Sequence, residues 1–150
     1  MHHSELSPMS QKVMLRASAE ATQLKHEATG PEHLLLGLIT EIDNPAARVL
    51  ANYGVTSVKT RVVVSAINRS YILTPPDVEI LTEPAKIAMN KAVEIAQNEQ
   101  THTRLARPGH ILLALINQRD VNVVNTFIAL SVDIGEVRRA LTDAVVMQDN

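Results

Sequence analysis

Apolar residues recur along most of this chain at intervals of three and four, which is the spacing of one face of an α-helix. In LSPMSQKVMLRASAEATQL the apolar stripe starts after Ser7, which suits an N-cap, and Pro8 fits the first helical position. In TGPEHLLLGLIT, Pro31 again fits the first turn, and apolar side chains surround the helix nearly completely. The pattern therefore predicts a first helix and a second one that lies at the centre of the fold.

Two shorter helical patterns follow the central one. NPAARVLANYG predicts a third helix with Gly54 as its C-terminal cap, and VTSVKTRVVVSAINRS predicts a fourth that Thr56 caps. The valines of residues 62–64 alone would suit a strand, but no partner strand is visible and nearby apolar residues lie close to helical spacing. These residues are Val55, Val58, Val62 and Ile67. YILTPPDVEI then carries two adjacent prolines, which exclude a helix and predict a linker over residues 69–80.

The same order of helices restarts after the linker. LTEPAKIAMNKAVEIAQ begins with Thr82 as N-cap, RPGHILLALINQ repeats the central phrase with Pro108 in its first turn, and NVVNTFIAL follows. In VDIGEVRRALTDAVV, Asp133 and Glu136 suit a capping box. The matching segments lie about 75 residues apart, which marks an internal repeat.

This repeat predicts the fold class and the domain organisation. We expect an all-α fold of eight helices, arranged as two pseudo-symmetric four-helix repeats that share one interface. The whole chain, residues 1–150, forms a single domain on this interpretation. Repeat one spans residues 6–68 and repeat two spans residues 81–147.

Composition narrows the functional classes. The chain has 45% hydrophobic but only 2% aromatic residues, so its core must be aliphatic, which suits close-packed helices. It has no cysteine, which removes disulfides and thiolate chemistry, and its net charge of −2 gives no footprint for nucleic acid or an anionic membrane. No apolar run approaches the roughly 20 residues of a spanning helix, and the first residues lack the sections of a signal peptide. These features predict a cytoplasmic protein that binds neither nucleic acid nor membrane.

The motifs of common catalytic sites are missing from the sequence. None of the five glycines belongs to a Gly-x-x-x-x-Gly-Lys loop, so we expect no nucleotide site. No serine stands in a Gly-x-Ser-x-Gly turn. We therefore expect no enzyme activity and no cofactor.

The histidines suit structural roles better than a metal site. His33 and His110 take equivalent positions in the first turns of the two central helices, where an imidazole can bond to the backbone or to the facing repeat. We expect these histidines, and the repeated prolines before them, to be structural, and we expect no metal. Two further histidines, His26 and His102, fall in predicted loops and are expected to be solvated.

Three phrases carry a resemblance to a known family. GPEHLLLGLI followed by AARVLANYGV, and LTEPAKIAMNKAVEIA after the linker, resemble the Clp N-terminal repeat domain of ClpA/ClpC-type AAA+ unfoldases. The resemblance runs from about residue 6 to residue 146 of the chain. In the first repeat the family phrase Gly-Thr-Glu-His-Leu-Leu-Leu-Gly-Leu differs only at Pro31. In the second repeat the family often has a glutamate where this chain has Gly109.

The resemblance implies a non-catalytic protein-binding module that docks adaptors or substrates and passes them to a Clp ATPase. Its partners would be Clp ATPase or protease components, adaptors or client proteins, including phosphoarginine-marked ones. The sequence of the second repeat departs from the family phrase, which favours a small stand-alone relative over an excised domain. An alternative function stays open, in which the chain is a helical scaffold or regulator that self-associates and has lost the link to Clp.

Glu32 is the candidate ligand-binding residue, and it is so by resemblance. In ClpC-like domains that bind phosphoarginine-marked proteins, the glutamate of this phrase accepts the guanidinium group. Glu32 could do so here, whereas Gly109 supplies no acceptor in the second repeat, so one site per chain is expected. The alternative is that Glu32 only stabilises its helix through the macrodipole, an effect worth roughly 0.3–1 kcal/mol.

Overall fold

The computed structural model describes residues 5–67, 80–99 and 104–144, and over these residues the chain forms eight α-helices. The first half contains α1 (Pro8–Gln23), α2 (Pro31–Thr40), α3 (Pro45–Asn52) and α4 (Ser57–Ile67). The second half contains α5 (Glu83–Gln97), α6 (Pro108–Gln118), α7 (Val121–Ala129) and α8 (Ile134–Ala144). The second set of helix starts follows the first by 75, 77, 76 and 77 residues, which confirms the all-α fold and its internal repeat. Residues 6–67 of predicted repeat one, Ile80 of the predicted linker, and residues 81–99 and 104–144 of predicted repeat two fall within the described ranges.

The helices begin at short polar side chains, and α3 ends at a glycine, where the sequence predicts these caps. Four side chains that the sequence marked as caps accept backbone N–H groups at helix starts, and they are Ser7, Thr56, Thr82 and Asp133. Asn44 and Asp120 cap α3 and α7 in the same way. Gly54 follows α3 with a φ of 85°, in the left-handed region that glycine tolerates. The predicted caps are therefore confirmed, and of the predicted capping box at α8 the structure shows the bonds that Asp133 accepts.

The two central helices fill the core. Every side chain of α2 from residue 31 to 39 is buried, and α2 packs against α1, α3, α4, α5, α6 and α7. α6 takes the matching place in the second repeat, with most of its side chains buried. The prediction that the doubled apolar phrase forms central helices is confirmed, because only a helix covered on all sides can bury so continuous an apolar surface.

Gly37 on α2 allows α1 to approach closely. A Cβ atom at this position would lie 2.5 Å from the carbonyl oxygen of Val13 and 3.0 Å from the backbone nitrogen of Ala17. These atoms belong to the α1 backbone and cannot rotate away, so the contact requires glycine. The second repeat has Ala114 at the matching place, and the α1–α2 contact is therefore the more demanding of the two.

The buried face of α4 does not include all of the apolar residues whose spacing predicted the helix. The valines run helically, as expected, but Val58 and Val62 are 68% and 66% exposed. The helix buries Thr60 and Val64 instead. It is also tied to α1 by Arg61, whose guanidinium donates to both carboxylate oxygens of Glu20 at 2.8 and 3.1 Å. A run of valines is apolar on several sides, so its spacing predicts a helix without deciding which side is covered.

Candidate functional site

Each central helix begins beside the first helix of the other repeat. Before α2, the Thr29 N–H donates to the Ile80 carbonyl at 2.9 Å, and the Thr82 N–H donates to the Thr29 carbonyl at 3.0 Å. Before α6, Ala106 makes the equivalent pair of bonds with Glu5 and Ser7, both at 2.9 Å. The starts of α2 and α5 therefore lie together at one end of the molecule, and the starts of α1 and α6 lie together at another.

His33 caps the start of α2 with its imidazole ring. Its Nδ1 accepts the backbone N–H of Gly30 at 2.9 Å, so the N3 side chain satisfies the N-cap donor as in one half of a capping box. Because Nδ1 accepts, the ring proton is on Nε2, which donates to Nδ1 of His26 at 2.7 Å. Burial, and to a lesser degree the neighbouring His26, lower the pKa of His33 to about 3. His33 is therefore neutral at physiological pH.

His26 was predicted to be solvated, but it is buried, with only 1% of its surface exposed. Its ring meets the ring of His33 edge to face, with centroids 4.9 Å apart. The prediction was wrong because a loop was equated with the surface, whereas this loop turns inward to supply the partner for Nε2 of His33. His102, the other histidine of that prediction, lies outside the described residues.

His110 repeats the backbone bond at the start of α6 but has a different outer partner. Its Nδ1 accepts the N–H of Arg107 at 2.9 Å, and its Nε2 donates to Oε2 of Glu99 at 2.6 Å. The buried guanidinium of Arg107 donates to the other oxygen of Glu99 at 2.9 Å. Burial lowers the pKa of His110, while Glu99 opposes this effect. Both histidines therefore accept the backbone N–H of the N-cap residue through Nδ1, but their Nε2 atoms donate to different partners.

Pro31 and Pro108 take the first helical position before these histidines. Their rings fix φ near the helical value, and the N–H that proline lacks is one that a helix start leaves without an intrahelical partner. Proline at N1 and histidine at N3 thus form one local unit that occurs in both repeats.

The carboxyl group of Glu32 folds back over the start of its own helix. A Cβ atom at Gly30 would lie 2.7 Å from Oε1 of Glu32, so the glycine makes room for this conformation. Oε2 lies 3.9 Å from Nδ1 of His33, but this is no ion pair because His33 is neutral. Glu32 is 5% exposed, and its Oε1 is buried without a hydrogen-bond partner among the described residues.

The surroundings of Glu32 disfavour its charge. Burial raises the pKa of Glu32, its own backbone N–H and the side chain of Asn122 oppose the rise, and Asp120 adds to it. Asp120 and Asn122 lie at the start of α7, so the second repeat supplies one wall of this site. A buried carboxyl with a free oxygen and a second carboxylate nearby is suited to accept hydrogen bonds from a cation.

The second repeat reverses the charge at the matching positions. Where repeat one has Gly30 and Glu32, repeat two has Arg107 and Gly109. Arg107 is 3% exposed and is paired with Glu99. This end of the molecule therefore has a cation of its own and lacks the acid of α2.

Sequence reasoning found Glu32 and the matching histidines but missed their partners. Asn122 and Asp120 reach Glu32 across the repeat interface, some 90 positions along the chain. His26 reaches His33 through a loop whose direction no local pattern indicates. These contacts depend on tertiary packing, for which a single sequence holds no direct signal.

Within residues 5–67, 80–99 and 104–144, no three His, Cys, Asp or Glu side chains are grouped so as to hold a metal ion. None of the helices in these ranges is both long enough and apolar enough to cross a membrane.

Comparison with protein families and curated proteins gives consistent matches. The model of the family described as "Clp repeat (R) N-terminal domain" matches residues 5–72 and 80–150. The ATP-dependent Clp protease ATP-binding subunit ClpC of Staphylococcus epidermidis is 28% identical over 147 residues. ClpC of Staphylococcus aureus (strain USA300) is 30% identical over 149 residues. Each alignment covers 97% of this chain, which spans 17% of the length of these relatives.

Solved structures show the same fold. The N-terminal domain of ClpD from Arabidopsis thaliana superposes with a TM-score of 0.80 at 20% identity, over 95% of this chain and 96% of that one. The Hsp104 N-terminal domain from Candida albicans gives 0.75 at 18% identity, over 96% and 93%. The N-domain of ClpV from Vibrio cholerae gives 0.64 at 13% identity, over 96% and 89%.

Proposed function

Because the chain belongs to the family of Clp repeat N-terminal domains, we propose that it is a protein-binding module of a cytoplasmic Clp unfoldase or protease system. It docks adaptors or client proteins and performs no catalysis itself. The curated relatives are ATP-binding subunits of Clp proteases, and this chain aligns with only 17% of their length. A docking role therefore suits the part of those proteins that it resembles.

The observation that supports a specific ligand is that the Glu32 carboxyl is buried and incompletely hydrogen-bonded. A carboxylate whose only role is to interact with the helix macrodipole should be exposed to solvent or fully hydrogen-bonded. The macrodipole would lower its pKa. Glu32 is instead buried, with a raised pKa and with Oε1 lacking a partner among the described residues. This arrangement favours a cationic group that arrives with the ligand, and a guanidinium, as in phosphoarginine, is the group that we propose.

The proposed function is tested by calorimetric titration with a phosphoarginine peptide at neutral pH. A charge-assisted hydrogen bond contributes roughly 1.5–3 kcal/mol, so Glu32→Gln should weaken binding about ten-fold or more. Glu83→Gln is the matched control, because Glu83 lies in the first turn of the neighbouring helix α5 but is exposed. Glu83→Gln should bind like the wild type. Equal binding by wild type and Glu32→Gln would contradict the proposed ligand.

A self-associating scaffold is the second candidate function. Large aliphatic side chains are exposed on two helices that pack together, Val58 and Val62 on α4 and Val121 and Ile128 on α7. Such side chains can mark a contact surface. A wild type that binds no peptide but dimerises in sedimentation experiments would favour this function over docking.

A further inference from the structure

The site at Glu32 is built from both repeats, and an inference follows that rests on the proposed function. α2 packs against α7, and Asn122 and Asp120 at the start of α7 lie near enough to the Glu32 carboxyl to influence its pKa. We infer that Asp120 is a second acceptor for the ligand, so that the guanidinium is held between Glu32 of repeat one and Asp120 of repeat two. Asp120 would then determine specificity, although it lies outside the phrase that carries the family resemblance.

Asp120 has the capacity for this role. As N-cap of α7 it uses one oxygen, Oδ2, which accepts the N–H groups of Asn122 at 3.0 Å and Val123 at 3.3 Å. Its other oxygen has no partner among the described residues, and the side chain is half-buried rather than enclosed. One oxygen thus holds the helix start, while the other is available to a ligand.

The described part of the chain supplies no cation to pair with Glu32 and Asp120 when both carboxyl groups are ionised. Asp120 disfavours the charge on Glu32, and no lysine or arginine among the described residues forms an ion pair with Glu32. His33, the nearest basic side chain, is neutral and already donates to His26. A bound cation would relieve the repulsion between Glu32 and Asp120 and satisfy Oε1 at the same time.

A guanidinium fits this pair of acceptors better than an ammonium does. Its five N–H donors lie in one plane and point in several directions, so a single group can bond to two carboxylates from different helices. An ammonium is compact and more strongly hydrated, and loses more when it is buried. The chemistry that we infer is therefore an arginine-type side chain rather than a lysine.

The test is Asp120→Asn in the same peptide titration. Asparagine caps helices as well as aspartate does, so the fold and the start of α7 should be retained while the charge is lost. We expect binding of the phosphoarginine peptide to weaken about five-fold, the effect of one partly exposed charge pair. Asp133→Asn is the matched control, since Asp133 caps α8 in the same way and should leave binding unchanged.

A second readout follows the Glu32 carboxyl carbon by NMR while the free protein is titrated with acid. Removing the Asp120 charge should lower the pKa of Glu32, and Asp133→Asn should not change it. If Glu32→Gln weakens binding but Asp120→Asn leaves the affinity at the wild-type value, the inference is wrong and the proposed function stands. If Glu32→Gln itself has no effect, the proposed function fails and the inference fails with it.

Discussion

Glu32 is a side chain whose burial disfavours its own charge. A carboxylate in the first turn of a helix normally gains from the macrodipole. Here burial outweighs that gain and raises the pKa of Glu32, so the folded protein holds the neutral form more readily than the unfolded chain does. An ionised Glu32 carboxylate is therefore a source of instability in the absence of a cation.

Glu32→Gln should stabilise the free protein. Because the pKa of Glu32 is higher in the folded state, its contribution to stability is full below the unfolded pKa and decreases as pH rises through the folded pKa. Glutamine stays neutral throughout, so the melting temperature at neutral pH should rise by a few degrees, as for a gain of about 1 kcal/mol in a domain of this size. In acid, the two proteins should converge. A variant that melts below the wild type at neutral pH would indicate that Glu32 serves its helix.

The helix starts show which elements sequence patterns can predict. Proline at N1 and histidine at N3 occur in both repeats, and in both the imidazole Nδ1 accepts the N-cap N–H group. The position of each helix start is therefore determined by residues close together in the sequence, so it could be predicted. The outer partner of each ring, His26 in one case and Glu99 in the other, is set by how loops and helices pack, and no periodicity indicates it.

The His26–His33 pair should make the protein sensitive to acid. The pKa of His33 is about 3 when folded and near the ordinary 6.5 when unfolded. The unfolded chain therefore takes up a proton first, and the free energy of unfolding falls as pH decreases from the ordinary value toward the folded one. A pKa difference of one corresponds to about 1.4 kcal/mol, so the full loss between pKa values of 6.5 and about 3 is roughly 5 kcal/mol.

Urea unfolding at neutral pH and at about pH 5 measures the first part of this loss, with His33→Gln as the informative variant. Glutamine at N3 can still accept the N-cap N–H group but does not titrate. We expect the stability of His33→Gln to depend less on pH than that of the wild type. His110→Gln should change the pH dependence less, because Glu99 favours the charged form of His110. Equal pH dependence in all three proteins would contradict the account of His33.

At the scale of the whole molecule, the two repeats share a fold but have opposite charges at their helix starts. The fold class, the eight helices and the central position of the doubled phrase could be predicted, because they follow from periodicity and caps. The covered face of α4 could not, since a run of valines is apolar on several sides. The contrast between Glu32 and Gly109 was visible in the sequence. The ion pair between the buried guanidinium of Arg107 and Glu99 could not be predicted, because it depends on how the chain packs.

The central claim is that the chain has one cation-accepting site, at Glu32, and that the matching place in the second repeat has lost this capacity. The most direct measurement is the number of phosphoarginine peptides bound per wild-type chain, determined by calorimetric titration at neutral pH with the active protein concentration known independently. We predict one peptide per chain, with binding weakened in Glu32→Gln. Two peptides per chain, or none, would contradict the claim.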